Sequence, residues 1–184
     1  MKLFDNAFWN TVITAIISAV VTNACLWWHK KADYKRDYYK KIIDKRIVAY
    51  EKIAEAITKV GIKSVYVING EKKEIFVCFE NFTRLDEANK LLISAIKELH
   101  WISPKTNKTL WELNNIIAKV IDEASIDSNK NKNWTDDDFK KRGIDLHEKL
   151  RNALSAVNIS SINDRMHLDD VEGFFKEQKE QINK

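Results

Sequence analysis

Residues 8–28, FWNTVITAIISAVVTNACLWW, decide the architecture of this chain, because they contain no charged side chain across 21 positions. A helix of that length rises about 30 Å, which matches the hydrocarbon core of a bilayer. Trp9 stands near one end and Trp27 and Trp28 at the other, where indoles prefer the membrane interface. We therefore predict that residues 1–28 form an N-terminal tail and a transmembrane helix.

The charges that follow this segment set its expected orientation. Residues 29–46 hold eight Lys or Arg against three Asp, a local net charge of +5. Basic residues next to a membrane span stay in the cytoplasm, and a cleavable signal peptide would carry them before its apolar run. The sequence thus predicts a single-pass protein of the inner cell membrane, with its N-terminus outside and its C-terminal domain cytoplasmic.

A polar stripe interrupts the apolar segment. Four side chains recur every four residues, on one face of the helix: Asn10, Thr14, Ser18 and Thr22. A bundle of helices could bury this face, because small residues allow close approach and hydroxyls bond between helices. We expect a homo-oligomer. Three alternatives stay open: hydroxyls that bond back to their own helix, a polar-lined pore, and a helix lying on the membrane surface.

The basic run itself suggests contact with anions. Its first members are Lys30, Lys31, Lys35 and Arg36, directly at the membrane exit. There they would attract anionic lipid headgroups, so the bilayer is an expected partner. Nucleic acid is the alternative, but the chain totals +4 and this run +5, which leaves the remainder at −1. We expect no duplex nucleic acid as a partner.

The remaining chain reads as mainly α. A stripe of apolar residues continues a helix through a basic juxtamembrane segment, residues 29–61, which ends near Gly61; the members of the stripe are Ile43, Ile47, Tyr50, Ile53 or Ala54, Ile57 and Val60. Residues 62–184 are expected to form a cytosolic helical domain with a small β-hairpin. Its predicted elements are two strands, 64–68 and 74–79, around Asn69-Gly70, and four helices. The first begins near Thr83, which resembles a capping box with Asp86, and the second begins at Ser103-Pro104. The third begins after Thr135 and continues through Val157, and the last begins near Leu168.

Composition and motifs limit the possible chemistry. The chain is 32% charged and 45% hydrophobic, which excludes a disordered chain and a polytopic membrane protein. The spacings of phosphate loops, dinucleotide folds, zinc proteases and serine hydrolases are absent from the sequence. Cys78 falls in a strand that we expect to be buried, where it serves as a small hydrophobe. We expect no enzyme, no cofactor and no metal.

One group of residues predicts a ligand site. His100, Trp101, Ser103, Lys105 and Lys108 surround a predicted helix N-terminus, whose free N–H groups and dipole attract anions. The indole could stack on a base, so a phosphate-bearing ligand such as a signalling nucleotide would suit the group. The alternative is that the indole is core and the lysines are solvated. Residues 140–142 beside Trp134 form a second, weaker candidate.

The layout of residues 8–57, an apolar anchor followed by the Tyr-rich basic helix YYKKIIDKRIVAYEKIAEAI, resembles small bacterial single-anchor membrane proteins of anti-phage defence. It is similar to the membrane effectors that accompany type III CRISPR systems. This resemblance implies an oligomeric effector whose cytosolic domain senses a cyclic oligonucleotide and alters the membrane bundle. The alternative is a non-enzymatic membrane scaffold with a helical protein-interaction domain.

Overall fold

The computed structural model describes residues 6–68, 70–130 and 132–182, and this part of the chain is mainly helical. Its elements, in chain order, are α1 (Asn6–Val60), β1 (Lys63–Ile68), β2 (Glu71–Phe76), α2 (Phe82–Ile96), α3 (Pro104–Asn129), α4 (Asp136–Asp145), α5 (His147–Arg165) and α6 (Val171–Ile182). The predicted fold class, mainly α with one small hairpin, is confirmed.

The chain forms two compact units that divide between Ile42 and Ile43, within α1. In the first unit, most of the large apolar side chains of α1 are exposed: Trp9, Ile13, Ile16, Ile17, Val20, Val21, Leu26, Trp27 and Trp28. By length and composition this helix could cross a membrane. The domain boundaries predicted after residues 28 and 61 fall inside α1 and just beyond its end.

The second unit has its own hydrophobic core. α3 is the central helix and packs against α2 and α5, while α4 packs against β2. Its largest fully buried side chains come from most of these elements: Tyr50, Ile53, Ile75, Phe76, Phe79, Leu85, Leu92, Ile102, Leu110, Leu113, Ile117 and Leu150. This core is continuous, so the elements of the unit hold one another in place.

The buried face of α1 in this unit differs from the predicted stripe. Tyr50, Ile53 and Val60 are buried as expected, whereas Ile47 is 38% exposed. Arg46 is buried in its place, at 3% exposure. The buried face of α1 is thus shifted by one residue from the predicted face. Packing explains the shift, because a face that buries the small side chains of Ala49 and Ala56 lets neighbouring elements approach closely.

The hairpin is present, but its second strand is displaced. β1 and β2 are antiparallel, with Lys63 opposite Phe76 and Ile68 opposite Glu71. Gly70 in the turn has a φ of 83°, in the left-handed region that glycine tolerates; Asn69 lies outside the described residues. The strand predicted to reach Phe79 stops at Phe76, and Val77–Phe79 form a 3₁₀ turn. Cys78 is therefore buried in that turn and not in a strand.

Side-chain caps begin three helices. Ser103 and Thr135 cap α3 and α4 as predicted, and Thr135 forms a complete capping box with Asp138. The box predicted at Thr83 is wrong, because Asn81 caps α2 by accepting a hydrogen bond from the Arg84 N–H at 3.0 Å. Asn81, whose backbone is extended, bonds an N–H group of the first turn, so α2 begins at Phe82 and Thr83 lies inside the helix.

The helix predicted to run from Thr135 through Val157 is broken at Leu146 into α4 and α5. The last turn of α4 contains Gly143, and a Cβ there would lie 2.7 Å from Phe79 Cβ. Glycine has low helix propensity, and here it allows the 3₁₀ turn after β2 to approach the helix. The last helix begins at Val171 instead of the predicted Leu168.

Candidate functional site

The start of α3 holds the residues that the sequence nominated for a ligand. His100, Lys105 and Lys108 are exposed, and Trp101 is half-buried and packs against the core. The Ser103 hydroxyl is already used, since it accepts a hydrogen bond from the Thr106 N–H at 3.1 Å. The five positions stay a predicted site, in which the lysines and the imidazole are the groups open to solvent.

A polar network lies directly behind this helix start. The Tyr50 hydroxyl donates to Asp164 Oδ2 at 2.7 Å and accepts from the Ser103 N–H at 3.2 Å. The Thr106 hydroxyl donates to the same Asp164 oxygen at 2.6 Å. A carboxylate near the first turn of α3 offsets the positive end of the helix dipole. An external anion would therefore be attracted there less than the sequence suggested.

The network fixes the protonation of Tyr50. Burial, the hydrogen bond to Asp164 and the negative charge of Asp164 raise the pKa of the Tyr50 hydroxyl above its usual value. The hydroxyl thus remains a donor at neutral pH. This network joins α1, α3 and α5 through hydrogen-bonded groups within the second unit.

Arg46 adds a buried charge to the same region. Its Nη1 donates to the carbonyl oxygens of Leu168, at 3.0 Å, and His167, at 3.5 Å. Its guanidinium lies 4.3 Å from the centre of the Phe174 ring, while the buried Nε has no hydrogen-bond partner among the described residues. Sequence reasoning placed Arg46 in the exposed basic run, because only the helical phase distinguishes it from Lys45.

A cleft of about 580 Å³ lies between α3 and the α4–α5 segment. Its cationic side chains are Lys119, Arg142 and Lys149, and its other lining residues are Glu112, Asn115, Ile116, Val120, Leu146, Asn152, Ala153 and Ala156. The alanines of α5 leave room where larger side chains would meet α3. Sequence reasoning missed this cleft, although the two alanines, Ala153 and Ala156, and Lys149 lie at helical spacing on α5.

In the first unit, the expected lipid-headgroup residues Lys30, Lys31, Lys35 and Arg36 are all exposed. Lys31 Nζ lies 5.2 Å from the centre of the Trp27 ring, so a cation and an indole share one surface. Such a combination is typical of the interface between headgroups and acyl chains. Arg36 also pairs with Asp33 on the same helix.

The polar stripe of the first unit is exposed at all four positions, Asn10, Thr14, Ser18 and Thr22. The Thr14 hydroxyl donates to the Asn10 carbonyl oxygen at 2.8 Å, which is the local bond that the sequence left open as an alternative. This bond satisfies one hydroxyl within the helix and leaves the small side chains available for close packing.

In the second, weaker candidate site, residues 140–142 beside Trp134, the side chains make separate contacts with different partners. Arg142 Nη2 binds both oxygens of Glu123, at 2.9 and 2.8 Å. Lys140 Nζ bonds Asp137 and lies 5.5 Å from the Tyr66 ring centre. Trp134 donates its indole N–H to Asp127. The structure thus does not gather residues 140–142 around Trp134.

Within residues 6–68, 70–130 and 132–182, no group of three or more His, Cys, Asp or Glu side chains is arranged to hold a metal ion. Comparison of the chain with known protein families, with curated proteins and with solved structures found no match in any of the three. The resemblance to membrane effectors of anti-phage defence stays an expectation that rests on the layout of residues 8–57.

Proposed function

We propose that the protein is a membrane-anchored, oligomeric effector whose helical domain senses a ligand and changes the packing of its anchors. The observation that carries this proposal is the apolar surface of α1 in the first unit, which the described chain leaves uncovered. A soluble monomer rarely exposes so many large apolar side chains together. Lipid or other copies of the same helix would cover them.

The membrane part of the proposal follows from the ends of this surface. Trp9 and Trp27 are 18 residues apart, which corresponds to about 27 Å along a helix. The exposed lysines beyond Trp28 would lie at the cytoplasmic headgroups, with the N-terminus outside. In this proposal the second unit lies in the cytoplasm, at the inner face of the cell membrane.

Self-association would bury the polar stripe. Lipid tails cannot form hydrogen bonds with the Asn10 amide or with the hydroxyl groups of the stripe, whereas a neighbouring copy of the helix can. Small side chains at Thr14 and Ser18 would let two backbones approach. A bundle held by such polar and small-residue contacts can rearrange at lower cost than one held by large interlocking side chains.

The sensing part rests on the architecture of α1. The last turns of this helix are packed in the second unit, where Arg46 bonds to the segment between α5 and α6 and Tyr50 bonds to Asp164 of α5. A ligand that changed the packing of that unit would therefore act on the helix that also supplies the anchor. A phosphate-bearing ligand, such as a cyclic oligonucleotide, is the class that the resemblance favours.

The second candidate is a static scaffold, in which α1 only tethers an interaction domain to the membrane. It needs no polar stripe, because a purely apolar anchor would serve as well. Leucine substitutions in the stripe therefore distinguish the two functions.

The experiment uses full-length protein in dye-filled vesicles, with addition of cyclic oligoadenylates. We expect the protein to release dye on addition of ligand, and the variant Thr14→Leu/Ser18→Leu/Thr22→Leu to release none. The matched control, Ile16→Leu/Val20→Leu, changes the opposite face and should remain active. Absence of release by the unmodified protein, or equal release by both variants, would favour the scaffold.

A further inference from the structure

The cleft between α3 and α5 has the composition of a binding site for an anion that carries an apolar part. It is lined on one side by Ile116 and Val120 and on the other by Ala153 and Ala156. Its volume of about 580 Å³ lies in the range of small-molecule sites. The cleft is open, so a ligand could enter without unfolding a helix.

The two helices that form the cleft run antiparallel. Thr106 bonds Asp164 and Thr109 bonds Ser160, so residues later in α3 face residues earlier in α5. This register brings Lys119 and Lys149 to the same end of the cleft. Arg142 lies at that end too, because its partner Glu123 follows Lys119 by one helical turn.

The charges at this end are not neutralised in full. Among the described residues, Lys119 and Lys149 form no ion pair, and Glu123 engages Arg142 through Nη2. Glu112 stands at the opposite end, about 10 Å from Lys119 along α3. The cleft is therefore polarised along its length, with cations at one end and a carboxylate at the other.

Two amides lie along the walls between these ends. Asn115 and Asn152 each offer a donor and an acceptor, which is the pattern that a nucleobase edge pairs with. A planar ring would lie on Ile116 and Ala153, where apolar surface is exposed to the cleft. Asn115 precedes Lys119 by four residues and Asn152 follows Lys149 by three, so each amide lies about one helical turn from a lysine.

We propose that this cleft binds a phosphate-bearing nucleotide, with the phosphate between Lys119 and Lys149 and the base against Ile116 and Ala153. The inference rests on the proposed function, since it names the site through which the domain senses its ligand. It differs from the site expected at the start of α3, where Asp164 already lies behind the helix terminus.

The test is calorimetric titration of the full-length protein in lipid nanodiscs with three probes: AMP, cyclic di-AMP and cyclic tetra-adenylate. We expect at least one probe to bind, and each of Lys119→Glu and Lys149→Glu to weaken it about 10- to 100-fold, as loss of a charge-assisted phosphate contact does. Both lysines are exposed, so these variants retain the fold.

Ala153→Phe provides a second test. It fills the cleft without changing its charge, so it should also weaken binding of the probe. The matched control is Lys72→Glu, which reverses one exposed lysine on β2, outside both candidate sites, and should leave the affinity unchanged. Lys105→Glu/Lys108→Glu tests the site expected at the start of α3. Failure of all three probes to bind overturns the inference, as does binding that is lost in Lys105→Glu/Lys108→Glu but kept in Lys119→Glu.

Dye release by the same proteins separates this inference from the proposed function. Binding that Lys119→Glu abolishes, together with ligand-dependent release, supports both. Binding that Lys119→Glu abolishes, without any release from vesicles, supports the cleft and overturns the effector function. Release that persists in Lys119→Glu and Lys149→Glu overturns the cleft and keeps the effector.

Discussion

Arg46 combines a permanent positive charge with almost complete burial, at 3% exposure. No carboxylate among the described residues pairs with it; two backbone carbonyls and the Phe174 ring take that place. Buried charges are costly unless well bonded, and these contacts offset the cost of burying Arg46. It fixes α1 to the segment between α5 and α6.

We expect Arg46→Ala to lower the free energy of unfolding by about 2–5 kcal/mol, because it removes charge-assisted hydrogen bonds and leaves a cavity. Lys45→Ala, at the exposed neighbouring position, should change it by less than about 0.5 kcal/mol. Denaturant unfolding of the full chain in detergent, followed by circular dichroism, measures both. Equal effects would show that the contacts of Arg46 carry no stability.

Tyr50 gives the stability a dependence on alkaline pH. Its pKa is raised in the folded chain, so the folded chain keeps this proton where the unfolded chain has lost it. The contribution of Tyr50 to stability is therefore complete below the unfolded pKa of about 10 and declines as the pH rises above it.

Tyr50→Phe should lower the free energy of unfolding by about 1–3 kcal/mol at neutral pH, because Asp164 loses a donor and the Ser103 N–H an acceptor. The difference between this variant and the unmodified protein should narrow at about pH 11, because deprotonation of Tyr50 then stabilises the unfolded unmodified chain, whereas the phenylalanine of the variant cannot ionise. The exposed Tyr34→Phe serves as the control. A difference that is the same at both pH values contradicts the proposed role of the hydroxyl.

At the scale of elements, local signals predicted most of the second unit. Ser103-Pro104 and Thr135 marked two helix starts, since capping depends on neighbours in sequence. The signals failed where distant packing decides. Val77–Phe79 have strong strand propensity and form a 3₁₀ turn, and the apolar period of α4 and α5 continues across the break at Leu146.

Gly143→Ala tests this packing argument. Alanine improves helix propensity by about 1 kcal/mol, but its Cβ would lie 2.7 Å from Phe79 Cβ and 2.9 Å from Ile75 Cγ2. Overpacking of a core costs about 1–3 kcal/mol, so we expect a net loss of stability. Ser155→Ala, on an exposed face of α5, should be neutral. A higher melting temperature for Gly143→Ala would show that α4 and the 3₁₀ turn Val77–Phe79 can move apart at little cost.

At the scale of the whole molecule, sequence predicted the long apolar helix but not the cleft. The helix is encoded in one stretch without charged residues that is long enough to cross a membrane, so composition alone reveals it. The cleft requires the antiparallel register of α3 and α5, whose facing residues are thirty or more positions apart. No local pattern encodes that register, and Lys119 and Lys149 therefore looked like ordinary surface lysines.

The apolar helix α1 in turn makes a prediction about assembly, because only one of its faces carries the polar stripe. The chain has two cysteines, Cys25 and Cys78. Burial raises the pKa of Cys78 to about 12, so its thiolate is scarce at neutral pH. A Cys25→Ser background therefore leaves little reactivity, and a single cysteine added to α1 reports on its own position.

In that background we expect Thr14→Cys and Ser18→Cys to form disulfide-linked dimers in membranes, because the stripe would bring these positions together between copies. The matched positions Ile16→Cys and Val20→Cys lie on the opposite face, and lipid should keep them apart. Non-reducing electrophoresis after mild oxidation measures the yields. Equal yields on both faces would mean that the helices meet at random, and the stripe would then be satisfied within each helix, as Thr14 is by Asn10. A preference for the stripe that changes when ligand is added would link the two units through their shared helix.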